Sequence, residues 1–190
     1  MIDNFNQISE LLKFESEDDF YHLQILKRKK ENPEIGSNSQ VIKTYYVYSI
    51  DYLQSIKSEI VNLCEFHNAR ACINLNSRSL ERAAFHTLKK ITDIIMNKDW
   101  KSVHRAYDSV CGTFCNDRDK SWIIDIDVKD MNEVNRISDI THLVEPIGNK
   151  TIAVIETKNG YHLISKPFNL SKVDIHHDIH KNNPTILYIK

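Results

Sequence analysis

The chain has 190 residues, 41% of them hydrophobic and 27% charged, with a formal net charge of −1. This composition describes a folded chain with its own core and excludes a fibrous or intrinsically disordered one. It also excludes the overall basic excess of a strong polyanion binder, so any contact with nucleic acid has to come from a local patch.

No apolar stretch approaches the roughly 20 residues that span a bilayer, and the N-terminal residues "MIDNFNQISELLKFESEDDF" lack the basic and apolar regions of a signal peptide. The expectation is a cytoplasmic protein, not bound to membrane, whose four cysteines stay reduced.

Residues 1–36 are polar and weakly helical in period, and are expected as an N-terminal extension ahead of a domain over 37–190. The basic run Lys27 to Lys30, followed by Pro33 and Gly36, reads as an exposed segment, either a solvated helix end or a phosphate-contacting patch. "QVIKTYYVYSI" (40–50) reads as a strand. A helix follows, with Asp51 as its N-cap and Leu53, Ile56, Ile60, Leu63 and Cys64 at helical spacing.

A second strand (69–79) alternates Ala71, Ile73 and Leu75 with polar residues, and the next helix carries an apolar stripe of Leu80, Ala84, Leu88, Ile91 and Ile95. After a less regular stretch come a strand at 122–128 and a helix with Val134, Ile137, Ile140 and Leu143 on one face. A hairpin turns at Asn159-Gly160, and a helix-like segment (170–181) and the strand "TILYIK" close the chain. Strands and helices alternate, which argues an α/β or α+β sheet with helices packed on it.

Two features carry chemistry. In "WIIDIDVKD" (122–130) Asp125 and Asp127 share one face of a strand, opposite Ile124, Ile126 and Val128. Two ionised carboxylates side by side repel, and either water or a divalent cation such as Mg²⁺ or Mn²⁺ has to compensate them. In "TKNGYHLISKPF" the tight turn is followed by His162, which shares a strand face with Ile164 and Lys166; imidazole and lysine can both contact phosphate, and a plain surface hairpin is the alternative.

Taken together, these two features resemble the archaeo-eukaryotic primase, or primase-polymerase, superfamily. "IIDID" (123–127) fits that family's h-h-D-h-D strand, and "GYH" (160–162) fits its small-x-His motif. The resemblance covers residues 40–190 and implies an N-terminal α/β lobe (37–120) followed by an RRM-like mixed sheet with helices packed on it (121–190). It implies a metal-dependent nucleotidyltransferase in which Asp125 and Asp127 hold Mg²⁺ or Mn²⁺ and His162 contacts the nucleotide's phosphates. It further implies nucleoside triphosphates and a single-stranded DNA template as ligands, with unwinding left to a separate helicase or replication partner.

Lys158 and Lys166 are added to the nucleotide site by proximity, and Arg78, just after the "CINLNS" strand, is read as facing either the same cleft or solvent. The family completes its metal site with an acid on a later strand, but "TILYIK" has none, so the third ligand is left between Asp174 and Asp178. Without it, the same residues would describe a catalytically degenerate nucleotide- or nucleic-acid-binding module; a metal-dependent nuclease and a protein-interaction domain with solvated acids are the other readings.

Cys64-x-x-His67 and Cys111-x-x-x-Cys115 have possible zinc spacing, but a structural zinc is not expected, because free cysteine is usually a small buried hydrophobe. His176 and His180 would share a helix face in 170–181, and a polar surface helix is the reading preferred to a metal site.

Overall fold

A computed structural model describes residues 1–116 and 119–190. The protein is a mixed α+β fold with two antiparallel sheets and six α-helices among the described residues. Strands and helices do alternate, but every strand pairing is antiparallel, so the parallel form of the α/β expectation is not adopted.

The first sheet begins where an extension was expected. Residues 1–36 supply β1 (Ile2–Asp3), α1 (Phe5–Leu11) and β2 (Asp19–Arg28). β2 pairs with β3 (Ser39–Val47) on one side and β4 (Arg70–Asn74) on the other, and is therefore an internal strand. Its period of two explains the placement: Tyr21, Leu23 and Ile25 alternate into the main core, while Phe20 enters a second cluster on the other face with Ala83 and Cys111. The interleaved His22 and Gln24 made the segment look polar.

α2 (Ile50–Ser55) and α3 (Lys57–His67) follow β3, with Leu53, Ile60 and Cys64 facing the core. The N-cap of α2 is Ser49, whose hydroxyl accepts from the Tyr52 amide, and not Asp51. The short β5 (Arg78–Ser79) pairs with the start of β2, and Ser79 caps α4 (Leu80–Met96). α5 (Ala106–Thr113) packs back against α4.

The second sheet has the order β7-β8-β6-β9, built from β6 (Trp122–Ile126), β7 (Thr151–Glu156), β8 (Tyr161–Ser165) and β9 (Asp178–His180). α6 (Met131–Leu143) covers one face, where Ile124, Ile126 and Leu163 meet Val134 and Ile137. On the other face, Ile123, Ile155 and Ile164 join the core of the first sheet, so one apolar cluster runs through both sheets. The last strand, β10 (Pro184–Ile189), leaves the second sheet and inserts between β1 and β4. The expected division into 37–120 and 121–190 is therefore crossed by the chain at both ends.

The expected helix over 170–181 does not form. Leu170–Lys172 is a single 3-10 turn, 173–177 is irregular, and 178–180 is β9. Ile179 packs toward α6 while Asp178 and His180 alternate to the opposite face, a strand pattern that the three histidines obscured. Leu143, expected on the core face of α6, is exposed, and Thr141 is buried there instead. No helix among the described residues is long and apolar enough to cross a membrane.

One buried cation closes the second sheet. Lys150 donates to the carbonyls of Thr141 and Val144 (2.7 Å each) and of Gly148 (3.3 Å), satisfying acceptors left over at the end of α6. Burial pulls its pKa below the usual lysine value. Lys150→Met removes this donor from all three carbonyls, leaving Thr141 only the Val144 amide, and is expected to lower unfolding stability by roughly 1–3 kcal/mol in a urea titration.

Candidate active site

β6 has a strand on each side, and the register decides what Asp125 meets. Asp125 lies directly opposite His162 of β8 and Asp178 of β9. Side chains directly opposite on neighbouring strands share a face, with Cβ atoms roughly 4.5–5.5 Å apart. Asp178 is thus the candidate third acid: it stands beside Asp125, whereas Asp174 is exposed in the preceding irregular segment and lines no part of the same space. Asp127 falls just past the end of β6, which stops at Ile126, but it too lines the cleft.

That cleft has a volume of about 650 Å³. The second sheet contributes Asp125, Asp127, His162, Asp178 and His180, with Lys158 from the β7–β8 turn. The first sheet contributes Leu26, Cys72 and Ile186 as an apolar part, and Arg28, Lys30 and Arg70 as cations. An acidic cluster therefore faces a basic one. Within the basic part, Glu31 takes up some of the charge, pairing with Arg70 and lying 3.9 Å from the Lys158 ammonium. Among the described residues, Arg28 and Lys30 make no ion pair.

His162 ties the site to the first sheet. Its Nδ1 is 2.8 Å from the hydroxyl of Thr185, a fully buried residue of β10, and its Nε2 lies 3.5 Å from Asp125 Oδ1. The hydrogen bond from His162 holds the Asp125 carboxyl below its ordinary pKa; the charges of His162, His180 and Arg28 act in the same direction, and partial burial opposes them.

Gly160, the small residue of "GYH", is required by packing. A Cβ there would lie 1.8 Å from the Ile126 carbonyl oxygen and 2.7 Å from the Val128 amide nitrogen. The turn before His162 therefore presses directly on the backbone that carries Asp127, and the two motifs meet through their main chains.

Three of the expected site residues are placed differently. Lys166 is four residues beyond His162, about 13 Å along an extended strand, and lines a separate cavity of about 570 Å³ with Lys13, Tyr21 and Ser77. Arg78 is fully buried: Nε donates to the Cys111 carbonyl (2.5 Å) and Nη1 to that of Asn76 (2.6 Å), and burial pushes its pKa down to about 10. It braces the β4–β5 connection against α5 and does not reach the cleft. Asp174 is the third, as described above.

The cleft residues Arg28, Lys30, Arg70 and His180 were not assigned from sequence. The signal for two of them was present in the basic run Lys27 to Lys30, which ends a strand and not a helix.

Cys72 lines the cleft, and desolvation pushes its thiol up to about 11; Cys64 is buried in the core. His176 is exposed, and His177 pairs with Glu133 of α6 at 2.8 Å. The donor set Asp125, Asp127 and Asp178 suits a hard divalent cation such as Mg²⁺ or Mn²⁺. With Asp125 close to His162, no three His, Cys, Asp or Glu side chains among the described residues stand together as a preformed metal shell. Compared with protein-family models, curated proteins and solved structures, the chain matches none.

Two outcomes test this geometry. Gly160→Ala is expected to displace the end of β6 and lower stability by roughly 1–3 kcal/mol, the scale of an overpacked site, measured by denaturant unfolding. The folded-state pKa of Asp125 is below its unfolded value, so its stabilising effect is present above the unfolded value and lost as pH falls through the folded one. His162→Ala is expected to move the Asp125 titration upward when followed by carboxyl ¹³C NMR.

Proposed function

We propose that the protein is a primase-polymerase-like nucleotidyltransferase. Asp125, Asp127 and Asp178 would hold Mg²⁺ or Mn²⁺, and a nucleoside triphosphate would lie between these acids and the basic side of the cleft. The observation that carries this reading is the placement of Asp178 directly opposite Asp125, in the cleft that also holds Asp127 and His162. It supplies an acid on a later strand, the one part of the family pattern that the terminal strand lacked.

The strand order β7-β8-β6-β9, with α6 connecting β6 to β7 across the intervening β8, supports the RRM-like reading of the second sheet; a 3-10 turn and irregular chain stand where a second helix would lie. Asp125, Asp127 and Asp178 would hold the divalent ion, which when bound would supply Lewis-acid stabilisation of charge in phosphoryl transfer. His162, Arg28, Lys30 and Lys158 are the groups available to contact phosphate oxygens, and a single-stranded DNA template is the expected second ligand.

A second reading, a nucleotide- or nucleic-acid-binding module without catalysis, draws on the contact between Asp125 and His162, which already compensates the carboxylate without a metal. The experiment is nucleotide incorporation on a primed single-stranded DNA template in Mg²⁺ or Mn²⁺. Wild-type protein is expected to extend the primer. Asp125→Ala and Asp178→Ala are expected to lose about two to three orders of magnitude in rate, the scale of losing one group that stabilises developing charge, while Asp174→Ala keeps full activity. Nucleotide binding without incorporation, unchanged in Asp125→Ala, would establish the non-catalytic module instead. Degradation of the DNA in Mn²⁺ would establish a nuclease.

A further inference from the structure

His162 is held from two sides by groups of different hydrogen-bonding character. Its Nδ1 lies 2.8 Å from the Thr185 hydroxyl and its Nε2 3.5 Å from Asp125 Oδ1. Thr185 is fully buried in β10, opposite Ile73 of β4, whereas His162 belongs to β8 of the second sheet. A side chain of one sheet therefore grips a site residue of the other.

A neutral imidazole carries one N–H, and which nitrogen bears it is set by the hydrogen bond the other makes. Both partners of His162 put it on Nε2. A buried hydroxyl needs an acceptor for its hydrogen, and among the described residues Nδ1 is the one partner of the Thr185 hydroxyl. Thr185 thus donates, and Nδ1 accepts and carries no hydrogen. An ionised carboxylate only accepts, so the nitrogen facing Asp125 is the one that carries hydrogen. The opposite tautomer would turn a lone pair toward Asp125 and leave the buried Thr185 hydrogen without an acceptor. Turning the ring over would set a carbon against the hydroxyl, at the same cost.

We infer that Thr185 is a positioning residue: it fixes the ring orientation and the Nε2–H tautomer of His162, and so gives the cleft a neutral hydrogen-bond donor that needs no added proton. His162 lines the cleft with Asp125, Asp178 and His180. Its contact with Asp125, at 3.5 Å, is longer than the usual N–H···O distance of about 2.7–3.2 Å. The hydrogen is therefore available to an anionic oxygen entering the same space. That this oxygen belongs to a nucleoside triphosphate rests on the function proposed above.

The test uses the full chain with ¹⁵N-labelled histidine, the His162 signals being identified by their loss in His162→Ala. Long-range ¹H–¹⁵N correlation spectra at mildly alkaline pH, without metal or nucleotide, are expected to show His162 wholly as the Nε2–H tautomer. Thr185→Ser, which keeps the hydroxyl, is expected to keep that pattern. Thr185→Val, which keeps the shape and removes the hydroxyl, is expected to give a mixture of tautomers with an unchanged circular dichroism spectrum. Calorimetry with magnesium-ATP reads the consequence: Thr185→Val is expected to weaken binding roughly tenfold, and Thr185→Ser to stay within about twofold, the scale of one hydrogen bond lost or kept. A wild-type His162 bearing Nδ1–H overturns the inference, and that readout needs no variant to fold. So does a Thr185→Val protein whose tautomer pattern or magnesium-ATP affinity equals that of wild type. Wild-type protein that binds no magnesium-ATP overturns the nucleotide reading of the site instead, while the tautomer, read without ligand, still decides the role of Thr185.

Discussion

The arrangement of the cleft depends on a half-buried carboxylate on an internal strand. Asp125 cannot rely on water alone, because β6 has a neighbour on each side. The register gives it His162 from β8 and Asp178 from β9, one able to donate a hydrogen bond and one adding like charge. His162 in turn holds the Thr185 hydroxyl on β10 of the other sheet. A single polar chain, Asp125 to His162 to Thr185, therefore crosses between the two sheets alongside the apolar cluster that joins them. The position of the acids and the position of the sheets are one problem with one solution.

This coupling explains why the cleft has opposite charge on its two sides. The second sheet contributes the acids and two histidines, and the end of β2 and the start of β4 contribute the arginines and a lysine. Each cluster alone would be self-repelling. Facing one another across a space of about 650 Å³, they bring opposite charges to the two sides of one cleft. The cavity that holds Lys166 is distinct and shares no lining residue with this one.

Much of the site was legible where the signal was local. Asp125 and Asp127 announced themselves by interrupting an apolar strand, and Gly160 and His162 by following a tight turn. Asp178 was named only as one of two options, because three histidines in "DIHHDIH" hid a three-residue strand behind a helical spacing. Arg28 and Lys30 were visible as a basic run, but nothing near them in sequence said that the end of β2 would meet a strand a hundred residues later. Arg78 shows the opposite case. An arginine next to a polar strand end reads as a solvent-facing or cleft residue, yet the carbonyls of Asn76 and Cys111 draw it fully inside.

The sequence by itself determined the elements whose period is local. These were β3, β4, β6 and the β7–β8 hairpin, helices α4 and α6, and the two motifs with their order along the chain. Only the tertiary structure decided that residues 1–36 supply an internal strand and that the last strand returns to the first sheet. It also decided that Asp178 stands directly opposite Asp125. The physical reason is common to all three. Each depends on pairing between segments far apart in the chain, and the free energy of such pairing comes from burial and register that no window of neighbouring residues contains.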